Sequence, residues 1–340
     1  MKKLKYVFLF MAVFCIAIGV PIAKAAEYNW KFGHEEVPGS YYDMLANEFG
    51  KRLAEKSGGK IDLKVFPAEI IGTSEDMLDM VRSDTIQFNF SSAAHAGGII
   101  PEAQVMLLHY LFPKDDKVMR DVLQKGKFRE LLKPCYEAQG IEPLAYATEG
   151  WNVWTTNKLI RTPDDMKGVK FRTASSRLIV DSYKAYGANP TPTPFSETYS
   201  ALQLNMVDGQ ENPVFVNYDM KFYEVQKYMI FAYTGHFAYT LVAGTKFMAS
   251  LPEDIQKIIR ETANELIPYA FQLQEEYNNE RLELIKRDKP ELNIVYLTDA
   301  EIAAFAKLAP SVYEIFLEMA PERGPAILKA LQEDIKNFSK

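Results

Sequence analysis

The stretch DMKGVKFRTASSRL, residues 165–178, brings together the residue types best suited to hold an acid. Val169 and Phe171 alternate with Lys170 and Arg172, as in a short strand, so the two basic side chains share one face. A lysine can lie along a surface and keep its ammonium wet. An arginine that ends such a strand, just before a Ser-rich turn, can instead point into a cleft. Its planar guanidinium then offers paired donors that match a carboxylate, a geometry that lysine does not reproduce. The competing reading is a bridge from Arg172 to one of the chain's own acids, and the residues alone leave both open. Lys170 and Arg177 read as ordinary surface charges.

Other chemistry is poorly supported. GHEE (33–36) lacks a second histidine at helical spacing, so it is no zinc-protease signature. His34, His95, His109 and His236 are scattered along the chain. KSGGK (56–60) follows a helix and precedes a strand, which makes it a helix stop rather than a phosphate loop. There is no G-x-S-x-G elbow and no G-x-G-x-x-G fingerprint. Glu35-Glu36 and Asp164-Asp165 are adjacent pairs whose side chains diverge in a strand. No metal or cofactor is called for, and the chain does not read as an enzyme.

The elements that must position Arg172 follow an export signal. Residues 1–25, MKKLKYVFLFMAVFCIAIGVPIAKA, have a basic start, an apolar run and an Ala-Lys-Ala ending. They read as a signal peptide cleaved after Ala25. Removing its four lysines takes the net charge from −6 to −10. So acidic a chain has no electrostatic case for nucleic acid or anionic lipid. Only Cys135 remains, which rules out an intrachain disulfide and a CxxC cluster. No second long apolar run follows, so the mature chain is expected in the periplasm, not inserted in the membrane, acting as a monomer.

Beyond the signal, YNWKFGH (28–34), KIDLKVF (60–66) and TIQFNF (85–90) read as strands. They alternate with a helix over 39–56 and a short one capped by Ser74. This β-α-β-α-β order predicts a mainly parallel sheet whose ligands lie beyond the carboxyl ends of its strands. EPLAYAT (142–148), WNVWTT (151–156) and GVKFRT (168–173) extend the theme, followed by a helix over 176–186 and the Pro-rich NPTPTPF. From Pro252 a helical pattern runs to about Arg287, with a kink expected at Pro268. At ~1.5 Å per residue it would reach roughly 54 Å, enough to tie two lobes together. Further helices are expected at about 299–318 and 322–337. Trp151 and Trp154 are expected on one strand face, lining a pocket or packing between lobes.

Three stretches in this order resemble the DctP family, the solute-binding proteins of tripartite ATP-independent periplasmic (TRAP) transporters. They are EKSGGKIDLKVFPAEIIGTSEDMLDMVRSDTIQF (55–88), TPDDMKGVKFR (162–172) and GANPTPTPFSETYSALQLNMVDGQENP (187–213), joined by FYEVQKYMIFAYTGH (222–236). Ile71 stands where the family has Leu before Gly72, and Met166 where it has Leu. The resemblance covers nearly the whole mature chain.

It implies an α/β fold of two lobes, of the class II periplasmic-binding-protein type, with hinge strands, a ligand cleft and a long helix spanning both. Residues 26–149 with about 238–277 form lobe I, and 150–237 with about 278–340 form lobe II. Arg172 then grips the ligand's acid group and Asn212 reaches the same group. Phe195 flanks the ligand. Glu35 and Ser92 fall at family pocket positions, and His236 and Trp151 join the candidates. Asn152 occupies a position where many relatives that bind sialic acid or related acids carry a second Arg. Losing that cation points to a ligand with one anionic head, a monocarboxylate or a sulfonate such as isethionate, because a second buried charge without a partner is costly. The implied partners are a small organic acid anion and the small and large integral membrane subunits of a TRAP transporter. The rival readings are a receptor for a sensor kinase and an exported α/β enzyme using Glu35 or His236.

Overall fold

The computed structural model describes residues 26–340. The signal peptide expected over 1–25 lies outside the described residues. The chain builds two sheets. The first contains β1 (Tyr28–His34), β2 (Ile61–Pro67), β3 (Phe88–Ser92), β4 (Ile141–Trp151) and β10 (His236–Gly244), in the order β2-β1-β3-β10-β4. The second contains β5 (Val153–Thr156), β6 (Lys170–Thr173), β7 (Asn189–Pro192), β8 (Gly209–Asn212), β9 (Tyr228–Phe231) and β11 (Asn293–Tyr296), in the order β11-β9-β5-β8-β6-β7.

Crossover connections make β1, β2 and β3 parallel, as the β-α-β-α-β order requires. The sheet is nevertheless mixed, because β10 runs antiparallel to both β3 and β4. In the second sheet β6 is parallel to β7 and β8, whereas β5 is antiparallel to β8 and β9. The antiparallel strands belong to the segments that pass between the sheets, β4 to β5 and β9 to β10. The Pro-rich segment supplies β7, an edge strand, where missing N–H donors cost least.

Local signals account for the element ends. Ser40 caps the helix Tyr41–Lys56, and Gly58 and Gly59 stop it at φ of +64° and +81°. The next helix is capped by Thr73, not Ser74: the Thr73 hydroxyl accepts from Asp76 N while the Asp76 carboxylate accepts from Thr73 N. The 36-residue helix Glu253–Asp288 continues through Pro268. It packs on β4 of the first sheet and on the helix Val214–Asp219 of the second lobe, so one element touches both halves. The helical pattern over 299–318 divides into Asp299–Ala306 and Ala309–Met319, with Pro310 opening the second piece. The last helix, Gly324–Phe338, crosses back to pack on helices Asp116–Lys125 and Phe128–Glu137 beside the first sheet.

Phe32, Phe49, Phe88 and Phe90 form an interlocked aromatic core under the first sheet. Trp154, Phe171, Tyr183 and Phe305 do the same for the second. No described helix is long and apolar enough to cross a membrane.

Candidate functional site

Strand ends from both sheets meet at one cavity. From the first sheet come Glu35 and Glu36 just after β1, His95 just after β3, and Glu149 near the end of β4. From the second come Arg172 and Ala174 at the end of β6, and Asn212 closing β8, with Phe195 and Val216 in the connections that follow β7 and β8. The space between them, open solvent included, is about 330 Å³. These are the carboxyl ends of parallel strands, where crossover topology leaves a crevice.

Arg172 is 4% exposed. Its Nε and Nη2 both donate to the Thr193 carbonyl, at 3.0 and 2.7 Å. Among the described residues it has no carboxylate within salt-bridge distance, and its Nη1 donates to no protein group. One edge of the guanidinium is therefore anchored to backbone while the rest is left facing the cavity. Burial lowers its pKa to about 10, against the fields of Glu35, Glu211 and Glu75, so the charge persists at neutral pH. The intramolecular bridge that the residues left open is not formed.

Asn212 is buried, its side-chain amide donating to Gln210 Oε1 and its carbonyl accepting from Asn217 Nδ2 at 2.9 Å. Phe195 packs edge-on to Phe222 and is half-buried at the cavity wall. Glu35 accepts from Ser74 Oγ and lies 3.2 Å from His95 Nδ1. Ser92 does not line the cavity: its hydroxyl caps the following turn and meets His95 Nδ1 at 2.9 Å, orienting the ring.

The remaining candidates lie elsewhere. His236 sits 3.9 Å from Trp151, centroid to centroid, with Asp116 beyond it, and burial lowers its pKa to about 3. The Trp151 indole donates to Asp116 Oδ1 at 2.8 Å. Asn152 bridges the two sheets, its N–H donating to the Gly235 carbonyl at 3.0 Å, with its side-chain oxygen buried and unpartnered. None of these three lines the cavity around Arg172. Trp151 and Trp154 do not share a strand face. Trp151 ends β4, while Trp154, three residues on, is buried in the second core and donates to Tyr183 OH at 2.8 Å.

Glu36, Glu149 and His95 complete the cavity. Burial raises Glu36 to about 8, although it accepts from Tyr42 N at 2.9 Å. It also pushes the fully buried Glu149 well above the carboxylate range. Glu36 is thus held mostly neutral at pH 7 and can donate as well as accept. The HEE run carried the signal for Glu36, but the strand assumption sent its side chain away from Glu35. The two follow β1 instead, where the backbone turns and both face the cavity. Behind the site Tyr183 OH donates to Glu211 at 2.6 Å, and burial raises Glu211 to about 7.

The arrangement can hold an acid group between two lobes. Among the described residues no set of His, Cys, Asp and Glu side chains is grouped to hold a metal.

Comparison with known proteins agrees with this geometry. Residues 32–319 match the family model described as bacterial extracellular solute-binding protein, family 7 (DctP). The chain is 33% identical to the ectoine/5-hydroxyectoine-binding periplasmic protein UehA of Ruegeria pomeroyi, over 96% of this chain and 97% of that one. Its fold superposes on the periplasmic ectoine-binding protein of the TeaABC TRAP transporter of Halomonas elongata with a TM-score of 0.88 and 31% identity, covering 91% of this chain and 99% of that one. A TRAP solute-binding protein of Shewanella oneidensis with bound succinate gives 0.84 at 28% identity, covering 92% of this chain and all of the other. The chain belongs to the bacterial extracellular solute-binding proteins of family 7, the DctP family, and is a TRAP-type solute-binding protein.

Proposed function

We propose that this protein is the periplasmic receptor for a small solute bearing a single acidic head, carboxylate or sulfonate, which it delivers to the two membrane subunits of a TRAP transporter. One observation carries the reading: a buried, charged guanidinium anchored along one edge and lacking a carboxylate partner at the cavity wall. An arginine so placed stays costly until an anion arrives to share its charge. Arg172 is the one Arg or Lys among the residues that line the cavity, which supports one anionic head rather than two. Closure of the two lobes around the solute would create the form that docks on the membrane subunits. Residues 1–25 would direct export, and the mature chain acts as a monomer.

A second feature bears on the solute's other end. Glu35, Glu36 and Glu149 face Arg172 across the cavity. Glu35 favours a solute whose far end donates a hydrogen bond or carries positive charge, while a protonated Glu36 can itself donate to an acceptor there. The names of the ectoine-binding relatives fit that polarity, whereas the dicarboxylate-binding relatives show that the family also accepts the opposite one.

A thermal-shift screen across small monocarboxylates, sulfonates, zwitterions and dicarboxylates tests the assignment. A true solute stabilises the folded chain by ~2.7 kcal/mol at a hundred times its Kd and is recovered unchanged. Tightest binding of a dicarboxylate would refute the single-head reading, and turnover of the solute would favour an exported enzyme.

A further inference from the structure

A second groove runs between the helix Asp116–Lys125 and the long helix Glu253–Asp288, and it shares no lining residue with the cavity around Arg172. Its space, open solvent included, is about 930 Å³. The shorter helix contributes Asp116, Lys117 and Arg120, and the long helix contributes Glu275.

Among the described residues none of these four charged groups is bridged to a Lys, Arg, Asp or Glu. Lys125, on the same helix but outside the groove, does pair, with Asp121 at 2.9 Å. Asp116 accepts from Trp151 Nε1 at 2.8 Å, and its carboxyl is raised by partial burial and by the charge of Glu275. Two carboxylates that feel each other across a groove favour a cation beside them.

Next to Asp116 stands a buried group with an unmet need. His236 is 2% exposed, and its Nε2 has no hydrogen-bond partner among the described residues. Its Nδ1 meets the Thr148 hydroxyl at 3.4 Å. That hydroxyl donates to the Phe237 carbonyl at 3.1 Å, so Nδ1 carries the ring proton and Nε2 a lone pair. Nε2 lies 3.7 Å from Asp116 Oδ1, beyond hydrogen-bond range and acceptor against acceptor. One N–H donor at ordinary hydrogen-bond length satisfies both atoms. The Asp116 side chain is 55% exposed, so a small shift of it gives such a donor access to Nε2.

We propose that this groove is a second solute site, which takes a small zwitterion: its ammonium bridges His236 Nε2 and Asp116, and its carboxylate meets Lys117 and Arg120. A buried lone pair, two carboxylates and two unbridged cations along one groove match an ammonium and a carboxylate a few bonds apart.

The indole N–H resonances of an isotope-labelled Arg172→Ala chain test this, because that background removes the anion grip of the main cleft. Trp151→Phe assigns the reporting signal, while the buried Trp30 and Trp154 show that each variant is folded. β-Alanine should shift the Trp151 signal saturably, ethylammonium should do so more weakly, and propionate should do no more than sodium chloride. Asp116→Asn and His236→Phe should each raise the apparent Kd for β-alanine about tenfold or more. Lys117→Gln with Arg120→Gln should weaken β-alanine and leave ethylammonium unchanged. A response to β-alanine that does not saturate, that survives Asp116→Asn, or that propionate matches would overturn the proposal. The readout does not involve the solute of the main cleft, so its outcome is independent of that assignment.

Discussion

Two donors of Arg172 converge on the carbonyl of Thr193, at 3.0 and 2.7 Å. Arg172 and Thr191 are paired across the parallel β6–β7 edge, and the chain leaving β7 brings Thr193 over the guanidinium. A side chain that has four rotatable bonds in solution is thereby fixed before any ligand arrives, and the conformational cost is met by folding rather than by binding.

Replacing Arg172 with Ala should leave the fold intact and weaken solute binding by about 2–5 kcal/mol, roughly thirty-fold to several-thousand-fold. Arg172→Lys should recover little, because an ammonium cannot reproduce the paired donors. Titration calorimetry with the solute found by screening, alongside circular dichroism, checks both variants.

The aromatic residues separate by role. Phe195 is half-buried at the cavity wall, whereas Trp154 is fully buried in the second core. Phe195→Ala should lower affinity about tenfold, equivalent to ~1.4 kcal/mol, with little change in melting temperature. Trp154→Ala should cost about 3–5 kcal/mol of stability. Thermal melts and calorimetry on the same samples distinguish the two.

The buried acids set a pH dependence. Glu36, at about 8 when folded, keeps a proton that an unfolded chain releases near 4.5. The folded state therefore binds more protons across that window, and the contribution is full below pH 4.5 and lost as pH rises through 8. Glu211, at about 7, acts in the same direction. His236, at about 3, works oppositely below its ordinary value of 6.5, where the unfolded chain takes up the proton. Stability in urea should therefore fall from pH 6.5 to 8.5, by a few kcal/mol. Glu36→Gln, which keeps an acceptor for Tyr42 N, should flatten that slope, and an unchanged slope would remove Glu36 from the account.

Glu35→Gln should discriminate among solutes. Ligands that present a cationic or hydrogen-bond-donating end should lose more affinity than simple monocarboxylates, because only they draw on the carboxylate beside His95. Paired calorimetric titrations of one zwitterion and one plain monocarboxylate measure the difference.

Much of this architecture was legible in the residues because local signals coincide with the elements. YNWKFGH spans β1 as read, and the long helix was foreseen within a residue or two of its observed ends. The antiparallel β10 was not, since nothing in its own residues says which strand it joins 85 residues or more away. Arg172 lies near the end of a strand whose alternation pointed to it, whereas Asn212 was reached only through the family resemblance. Glu149 was hidden: it falls between the stretches read as strands, 142–148 and 151–156, whereas β4 runs on to Trp151 with its ladder interrupted beside Gly150. Trp151 and Trp154 misled for the same reason, since Asn152 separates two strands of different sheets.

The most direct test of the account is the crystal structure of the solute-loaded receptor. An acid group on the solute with oxygens about 2.7–3.0 Å from the Arg172 guanidinium, the lobes closed and Glu35 and Glu36 at its other end, is the result the account predicts. A solute bound elsewhere, with Arg172 still contacting only Thr193, would contradict it.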